Sequence, residues 1–257
     1  MDRLSDDLPD GTVRNDRGQS PAKGSERPTA YIDRMAAYDA VCFDLDDTLC
    51  EPTQDARTVL ERTFDRAGLD QFCTPADLRA AVPSLPTAET DREFYEELFA
   101  EVASRSDVDP RVSSKLSDWY LELRDPTAVR FKPGAEAALE RARDCGPVGL
   151  ITNGGRKTQT KKLRALGIED AFDVRVFTEP SAGIYPKPDA APFEHALHSL
   201  GARPDRAIHV GDSLHADVAG ANAMGLDSAW IDTGRDRTAK HEPTYELASL
   251  GGFSDIV

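Results

Sequence analysis

The chain has 257 residues, enough for one large domain or for one domain that carries an insertion. Its 46 acidic residues outnumber the 31 basic ones and give a net charge of −15, which argues against the basic face that general nucleic-acid binding needs. No apolar run approaches the roughly 18 residues of a membrane span, and no secretory signal opens the sequence. We therefore expect a cytoplasmic protein without nucleic-acid or membrane partners. The acidic, lysine-poor composition also predicts adaptation to high salt.

The first 34 residues differ in composition from the rest. They are rich in Asp, Arg, Gly, Pro and Ser and show almost no apolar periodicity. This composition predicts a disordered tail over residues 1–34. The ordered pattern begins just after Met35, which leaves open whether Met35 is the true start.

Five short apolar runs predict strands. They lie at residues 40–45, 146–155, 173–178, 207–212 and 228–234. Four helical patterns separate or precede them, at residues 134–145, 156–167, 191–201 and 215–225. Strands that alternate with helices indicate a parallel sheet with helices on both faces. The sequence therefore predicts a doubly wound, Rossmann-like α/β core.

A long helical stretch, from Gln54 to Leu123, separates the first two predicted strands. Phe94, Leu98 and Val102 recur at the i, i+4, i+8 spacing of one buried stripe, which indicates a helical bundle rather than a binding groove. We therefore predict a core formed by residues 35–50 and 131–257, and an all-helical insertion over residues 51–130. Such an insertion would overhang the sheet edge at which α/β folds bind ligands.

Polar residues follow the predicted strands where each strand ends. They are Asp44, Asp46, Asp47 and Thr48 after the first strand, Thr152, Asn153 and Gly154 after the second, Lys187 between the third and fourth, and Asp212 and Asp217 after the fourth. The carboxyl ends of parallel strands lie at one edge of the sheet, so these side chains can converge on one crevice.

Several carboxylates in one crevice repel one another unless a cation joins them. Hard oxygen ligands favour Mg²⁺, which keeps waters and binds substrate phosphate. If the strand alternation continues, Asp44 and Asp46 point the same way, so that one can attack phosphorus while the other shuttles a proton. Thr152 and Lys187 would then stabilise the phosphoryl oxygens.

Each motif taken alone has a simpler interpretation. A run of aspartates is commonly a solvated turn, a Lys before Pro-Asp is commonly a surface loop, and Thr-Asn-Gly is commonly a turn. Gly-Asp-Ser can cap a following helix. All four motifs occur in order, each near the end of a predicted strand, and this joint pattern favours one shared catalytic site.

These motifs resemble those of the haloacid dehalogenase superfamily of phosphohydrolases. The resemblance runs from about Ala40 to Gly234 and is carried by the segments DLDDTL, LITNGG, PKPD and HVGDSLHADVAGANAMG. It implies that Asp44 is the nucleophile and Asp46 the general acid and base. It also implies Mg²⁺ held by the Asp44 carboxylate, the Asp46 main-chain carbonyl and Asp212, with Asp217 nearby or bound through water.

The resemblance further implies roles for the remaining strand-end residues. Thr152 and Asn153 would contact the phosphoryl group, and Lys187 would pair with that group and with Asp44. Thr48 and Gly154 are further candidate substrate-binding residues. Residues 51–130 would form a helical cap that closes over the substrate and excludes water.

The expected reaction is Mg²⁺-dependent hydrolysis of a small phosphorylated metabolite, of the phosphoglycolate, nucleotide or sugar phosphate class, by a monomer or homodimer. The alternatives are a 2-haloacid dehalogenase, a phosphomutase and a non-catalytic regulator with the same fold. The presence of both Asp46 and Asp212 favours the phosphatase.

Three further residues have no catalytic role that the sequence establishes. Asp47 faces away from Asp44 in an extended segment and is expected to cap a turn. His209 is expected in the core or in a layer behind the site. His215 is expected at the start of a helix near the site.

Overall fold

The computed structural model describes residues 38–234 and 240–257. The predicted tail over residues 1–34, and Met35 with it, lies outside the described residues. Within those ranges the strands are β1 Ala40–Phe43, β2 Cys50–Pro52, β3 Val129–Phe131, β4 Val148–Thr152, β5 Val174–Phe177, β6 Ala207–Gly211, β7 Asp227–Ile231 and β8 Tyr245–Leu247. The helices are α1 Ala56–Ala67, α2 Pro75–Ala81, α3 Asp91–Arg105, α4 Ser113–Leu123, α5 Ala135–Cys145, α6 Arg156–Leu166, α7 Ala190–Leu200 and α8 Ala219–Ala223.

Six strands form one parallel sheet in the order β5-β4-β1-β6-β7-β8. The central strand β1 pairs Val41 with Val148 on one side and with Ile208 on the other, and all four of its residues are buried. The chain runs outward from β1 in one direction through β4 and β5, and in the other through β6 to β8. The carboxyl end of β1 therefore lies where the strand order reverses, which is where open α/β sheets bind ligands.

Two apolar layers cover the two faces of the sheet. One face packs Val41 and Phe43 with Leu139 of α5 and Leu163 of α6. The other face packs Cys42 with α7 and α8. The predicted doubly wound α/β fold is therefore confirmed.

The stretch between β1 and β4 contains four helices, α1 to α4, as the periodicity predicts. These helices enclose a separate apolar core with Leu60, Phe64, Leu98, Phe99 and Leu116 among its members. The segment is not helical throughout, because β2 and β3 pair antiparallel at its two ends. Strands of three residues are too short to give a periodic signal. The division into core and cap stays a prediction.

Two elements after β6 also differ from expectation. The predicted helix over 215–225 begins with a π-helical turn, Leu214–Val218, before α8. A sixth strand of the sheet, β8, has no counterpart in the sequence reading. None of the helices in the described ranges is long and apolar enough to cross a membrane.

Candidate active site

The end of β1 delivers Asp44 to the edge of the sheet and then turns back sharply. The Asp44 N–H donates to the Val210 carbonyl at 2.9 Å, so the strand ladder fixes this backbone. The Leu45 carbonyl then accepts from the N–H groups of Leu49 and Cys50, which closes a turn. Asp47 has a φ of 59° within that turn, in the left-handed region that Asp tolerates better than most residues.

Three carboxylates converge at this edge, as the motif order predicts. Oxygens of Asp44, Asp212 and Asp217 lie within 4.8 Å of one another; we call these three residues the acid cluster. They come from the ends of β1 and β6 and from the π-helical turn. Thr48 makes a long contact to the cluster, 3.4 Å from its hydroxyl to Asp212 Oδ1.

Lys187 places a positive charge against the acid cluster. Its Nζ lies 2.8 Å from Asp44 Oδ1, 2.7 Å from Asp217 Oδ1 and 2.6 Å from the Ile151 carbonyl. These partners use all three N–H donors of the ammonium group, and the side chain is only 2% exposed. The lysine is therefore fixed between two of the three acids.

Asn153 positions the backbone of Lys187. Its Nδ2 donates to the Lys187 carbonyl at 3.0 Å, and its Oδ1 accepts from the Lys187 N–H at 2.7 Å. The side-chain amide expected to contact a phosphoryl group is thus engaged in holding the lysine loop.

The acids of the cluster ionise very differently from free aspartate. Burial, reinforced by Asp217 and Asp46 and opposed by Lys187, raises the pKa of Asp44 to about 7. Burial and then Asp44 raise the pKa of Asp212 to about 8. Asp217 is buried too, but Lys187 and His209 hold its pKa below the usual range. Three acids around one lysine carry an excess of negative charge, and their hard oxygens fit a divalent cation such as Mg²⁺.

Removing protons from the cluster should destabilise the metal-free protein. The folded-state pKa values of Asp44 and Asp212, about 7 and about 8, lie well above the ordinary value of an aspartate, 3.8. The folded state therefore binds protons more tightly, and the stability from these two groups is lost as the pH rises through about 4 to 8. Since protons compete with a cation for the same oxygens, Mg²⁺ should raise Tm more at about pH 8 than at about pH 5.5.

Thermal melting with Mg²⁺ and with EDTA across this pH range tests the expectation. Asp212→Asn should lose most of the Mg²⁺-dependent rise in Tm. Asp205→Asn, at an exposed acid paired with Arg203, should keep it. A rise in Tm that is independent of pH, or larger in acid, would count against a metal bound by these carboxylates.

The carboxylate of Asp46 lies outside the acid cluster. Leu45 packs with Val41 and Phe43 in one apolar layer, so the strand alternation continues as far as Leu45, and the chain then turns back at Asp47. That Asp44 and Asp46 point the same way stays a prediction. The Nζ of Lys162 lies 2.5 and 2.7 Å from the two Asp46 oxygens, and Gln159 Nε2 donates to Oδ2 at 2.7 Å. Partial desolvation opposes ionisation of the half-buried Asp46, but Lys162 and then Gln159 lower its pKa.

Gln159 and Lys162 on α6 are the site residues that the sequence reading missed. Both are buried, although the helix is otherwise polar. Gln159 Nε2 also donates to the Thr152 hydroxyl at 2.8 Å, so it bridges Thr152 and Asp46. Their i, i+3 spacing, with Leu163 at i+4, is the signal that could have revealed them as a polar part of the buried stripe.

Gly154 makes room for this bridge. A Cβ built at Gly154 would lie 2.0 Å from Gln159 Nε2, so any side chain there would displace Gln159 from its place between Thr152 and Asp46. The structure therefore gives this glycine a packing role beside Thr152, where the sequence reading placed a substrate-binding residue.

The two histidines of the fourth motif lie where the sequence reading expected them. His209 is buried, with its Nε2 2.9 Å from Asp217 Oδ1. Burial lowers its pKa, so the neutral ring donates from Nε2 and helps hold Asp217. His215 is exposed on the π-helical turn, with its ring centroid 6.4 Å from that of His241.

The parallel sheet has the Rossmann-like core that the sequence predicts, with a candidate catalytic site at its edge. The model of the family described as haloacid dehalogenase-like hydrolase matches residues 38–225. The chain is 30% identical over 239 residues to phosphoserine phosphatase of Thermus thermophilus, a match that covers 81% of this chain and 94% of that protein. It is also 30% identical over 233 residues to pyrimidine 5'-nucleotidase YjjG of Escherichia coli, covering 86% and 98%.

A solved structure shows the same fold. The putative HAD-hydrolase YfnB from Bacillus subtilis, bound to magnesium, superposes with a TM-score of 0.67 at 22% identity, covering 86% of this chain and 98% of that one. The chain belongs to the haloacid dehalogenase-like hydrolase family, as the motifs predict. It is a phosphohydrolase of that family.

Proposed function

We propose that this protein hydrolyses a small phosphomonoester with Mg²⁺, through an aspartyl-phosphate formed on Asp44. The observation that carries the proposal is the contact of Asp44 with Lys187 inside the acid cluster. An oxygen of Asp44 attacks phosphorus, the ester P–O bond breaks, and the leaving alcohol takes a proton. Water then attacks the same phosphorus, releasing phosphate and restoring the Asp44 carboxylate.

We assign Lys187 and Thr152 to binding the phosphoryl group. The Thr152 hydroxyl accepts from Gln159, so its own hydrogen is available to donate to a phosphoryl oxygen. Lys187 neutralises the charge that the attacking carboxylate and the phosphoryl oxygens share. Because its three donors are already engaged, we expect one of its present contacts to be exchanged for the substrate.

Asp44 and Asp212 are the residues that we assign to Mg²⁺, with the main-chain carbonyl of Asp46. The bound cation would neutralise the acids and the phosphoryl oxygens. Asp217 already accepts from Lys187, His209 and the Ser213 N–H. We therefore assign Asp217 to holding Lys187 and propose that it reaches the cation only through water.

We propose that Asp46 moves the protons of both steps. In its protonated form it gives a proton to the leaving alcohol in the first step, and the carboxylate that remains takes a proton from the attacking water in the second step, so the cycle closes. The ion pair with Lys162 favours the carboxylate form that the second step needs. The pair also fixes the position of Asp46, whose side chain is 44% exposed whereas that of Lys162 is 4% exposed.

Lys162→Met should lower kcat by about 10- to 100-fold with a smaller change in KM, because it removes the group that orients and ionises Asp46. Without Lys162 the pKa of Asp46 rises and less carboxylate is left to accept a proton from water, so the acidic limb of the pH profile of kcat should move to higher pH. Lys161→Met, at the exposed neighbouring lysine, is the matched control and should behave like the wild type. A Lys162→Met enzyme with wild-type kcat would contradict the role of Lys162 in orienting and ionising Asp46.

We propose that the segment over residues 51–130 acts as a cap that covers this site. Asp91, at the first position of α3, accepts a hydrogen bond from the Thr158 hydroxyl of α6, and Asp91 Oδ1 would lie 3.1 Å from a Cβ built at Gly155. A cavity beside Asp46 and Lys162 is walled on its other side by residues of this segment. These contacts support closure of the helices over the leaving group.

The relatives indicate a broad class of substrate. Their names give a phosphorylated amino acid and a pyrimidine nucleotide, both small phosphomonoesters. We propose a substrate of the phosphoglycolate, nucleotide or sugar phosphate class. The cytoplasmic location, the monomeric or homodimeric state and the salt adaptation stay predictions.

The test is phosphate release from p-nitrophenyl phosphate in high salt with Mg²⁺, followed by a screen of phosphorylated metabolites. EDTA should abolish turnover and added Mg²⁺ should restore it. Turnover that persists in EDTA would contradict the metal, and its absence across the whole screen would contradict the proposed function.

A further inference from the structure

A small cavity lies next to Asp46, between the sheet edge and the helical segment. Its volume is about 120 Å³, and its lining includes Asp46 and Lys162 together with Tyr95, Tyr120 and Arg124 of the helical segment. In the proposed reaction Asp46 protonates the leaving oxygen, so we expect the leaving alcohol of a bound phosphomonoester to extend from Asp46 into this cavity. The other lining residues would then contact that alcohol and select its chemistry.

Arg124 is the one basic residue of this lining that makes no ion pair with an acid of the described ranges. It follows the end of α4, donates to the Tyr95 hydroxyl, and stacks with its guanidinium 5.6 Å from the centre of the Tyr95 ring. No carboxylate of the described residues lies within 4.0 Å of it. Lys162, by contrast, is committed to Asp46.

The acids around Arg124 are engaged elsewhere. Asp125 accepts from the N–H and hydroxyl of Thr127, at 2.8 and 2.7 Å. Asp46 is bound by Lys162 and Gln159, and Asp91 by Thr158. A partly buried guanidinium with unused donors is costly to desolvate unless an anion pairs with it.

Gln54 fixes the backbone on both sides of Arg124. Its Nε2 donates to the Leu123 carbonyl at 3.1 Å, and its Oε1 accepts from the Asp125 N–H at 2.7 Å. The arginine is therefore held at its place in the cavity wall before any ligand arrives, which lowers the entropy cost of binding one. A planar guanidinium held in this way suits a carboxylate or a phosphate.

We propose that Arg124 binds a second anionic group on the substrate, carried by the leaving alcohol away from the scissile phosphate. The inference rests on the proposed function and narrows it: the substrate is a phosphomonoester whose alcohol bears a carboxylate or a further phosphate. Arg124 is then a specificity-determining residue of the helical segment.

Two matched substrate pairs test this inference. 3-Phosphoglycerate and glycerol 3-phosphate differ in a carboxylate, and the bisphosphate and monophosphate of propane-1,3-diol differ in a second phosphate. The wild type should prefer the anionic member of at least one pair in kcat/KM. Arg124→Gln should lower that preference by about 10- to 100-fold, the usual loss for a hydrogen bond to a charged group. Arg124→Lys should fall between the two enzymes, and the pair with the larger loss identifies the anion.

Arg66→Gln is the matched control, because Arg66 also stacks on an aromatic ring of the helical segment, 5.4 Å from the centre of Trp119, and does not line the cavity. It should keep the wild-type preference. Where Arg124→Gln does not fold, as judged by its melting, inhibition of the wild type decides: glycerate should inhibit hydrolysis of p-nitrophenyl phosphate more strongly than glycerol, or propane-1,3-diol monophosphate more strongly than the free diol.

The outcomes distinguish a failure of the role proposed for Arg124 from a failure of the proposed function. Hydrolysis of p-nitrophenyl phosphate with Mg²⁺, but no preference for either anionic substrate, would overturn the role of Arg124 and leave the proposed function intact. A preference that Arg124→Gln retains would do the same. No Mg²⁺-dependent turnover of any phosphomonoester would overturn both.

Discussion

Asp44→Asn is expected to abolish turnover, with a loss of at least about 10³-fold in kcat. The amide has the shape of the carboxylate but lacks the charge that makes the oxygen a nucleophile, and it weakens one ligand of the proposed cation. The Mg²⁺-dependent rise in Tm should shrink as well. Steady-state kinetics with p-nitrophenyl phosphate and thermal melting measure the two effects.

Asp205→Asn is the control for this substitution, since it makes the same chemical change at an exposed acid. It should keep wild-type kinetics and melting. An Asp44→Asn enzyme that is folded and retains more than about a tenth of wild-type kcat would rule out Asp44 as the nucleophile.

Lys187→Met is the second change expected to have a large effect. It leaves the Asp44 and Asp217 carboxylates buried without their shared cation, and breaking a buried ion pair from one side typically costs about 3–5 kcal/mol of unfolding free energy. Turnover should also fall by about 10²-fold or more, because a preorganised charge at the phosphoryl group is lost. Urea unfolding without Mg²⁺ and kinetics with Mg²⁺ measure the two losses.

The same change at Lys161 separates a specific effect from the loss of a lysine in general, because Lys161 is exposed. Added Mg²⁺ should recover part of the stability that Lys187→Met loses, since a divalent cation compensates the same carboxylates. Wild-type stability and turnover in Lys187→Met would show that the contacts of Lys187 with Asp44 and Asp217 contribute neither to the free energy of unfolding nor to catalysis.

The sequence predicts that Asp44 and Asp212 lie close together because sheet topology determines their positions. The two residues follow strands that are neighbours in the sheet, and parallel strands end at one edge. Lys187 lies in an irregular segment, and only its place in the motif order indicated that it would reach Asp44.

The partners of Asp46 show where sequence reasoning stops. The left-handed Asp47 closes a turn directly after Asp46, and the residues that hold the Asp46 carboxylate come from α6, more than a hundred residues along the chain. Those partners, Gln159 and Lys162, are polar residues in a polar helix, which a hydropathy pattern assigns to solvent.

The helical segment gives a similar contrast. Its four helices follow from periodicity, and the start of α2 at Pro75, with Thr74 as its cap, follows from local chemistry. The antiparallel pairing of β2 with β3 joins residues about 80 positions apart, and the cavity that includes Arg124 exists only once that segment is folded against the sheet edge. Contacts of this range leave no local signal in the sequence.

The most direct test of the account is chemical trapping of the aspartyl-phosphate. The enzyme is mixed with Mg²⁺ and substrate, quenched in acid within a turnover, and treated with borohydride, which reduces an acyl phosphate to the alcohol. We expect peptide mass spectrometry to find homoserine in place of Asp44, and only when both substrate and Mg²⁺ are present. Unmodified Asp44 in an enzyme that is turning over under conditions where the intermediate accumulates, or reduction at a different acid, would contradict it.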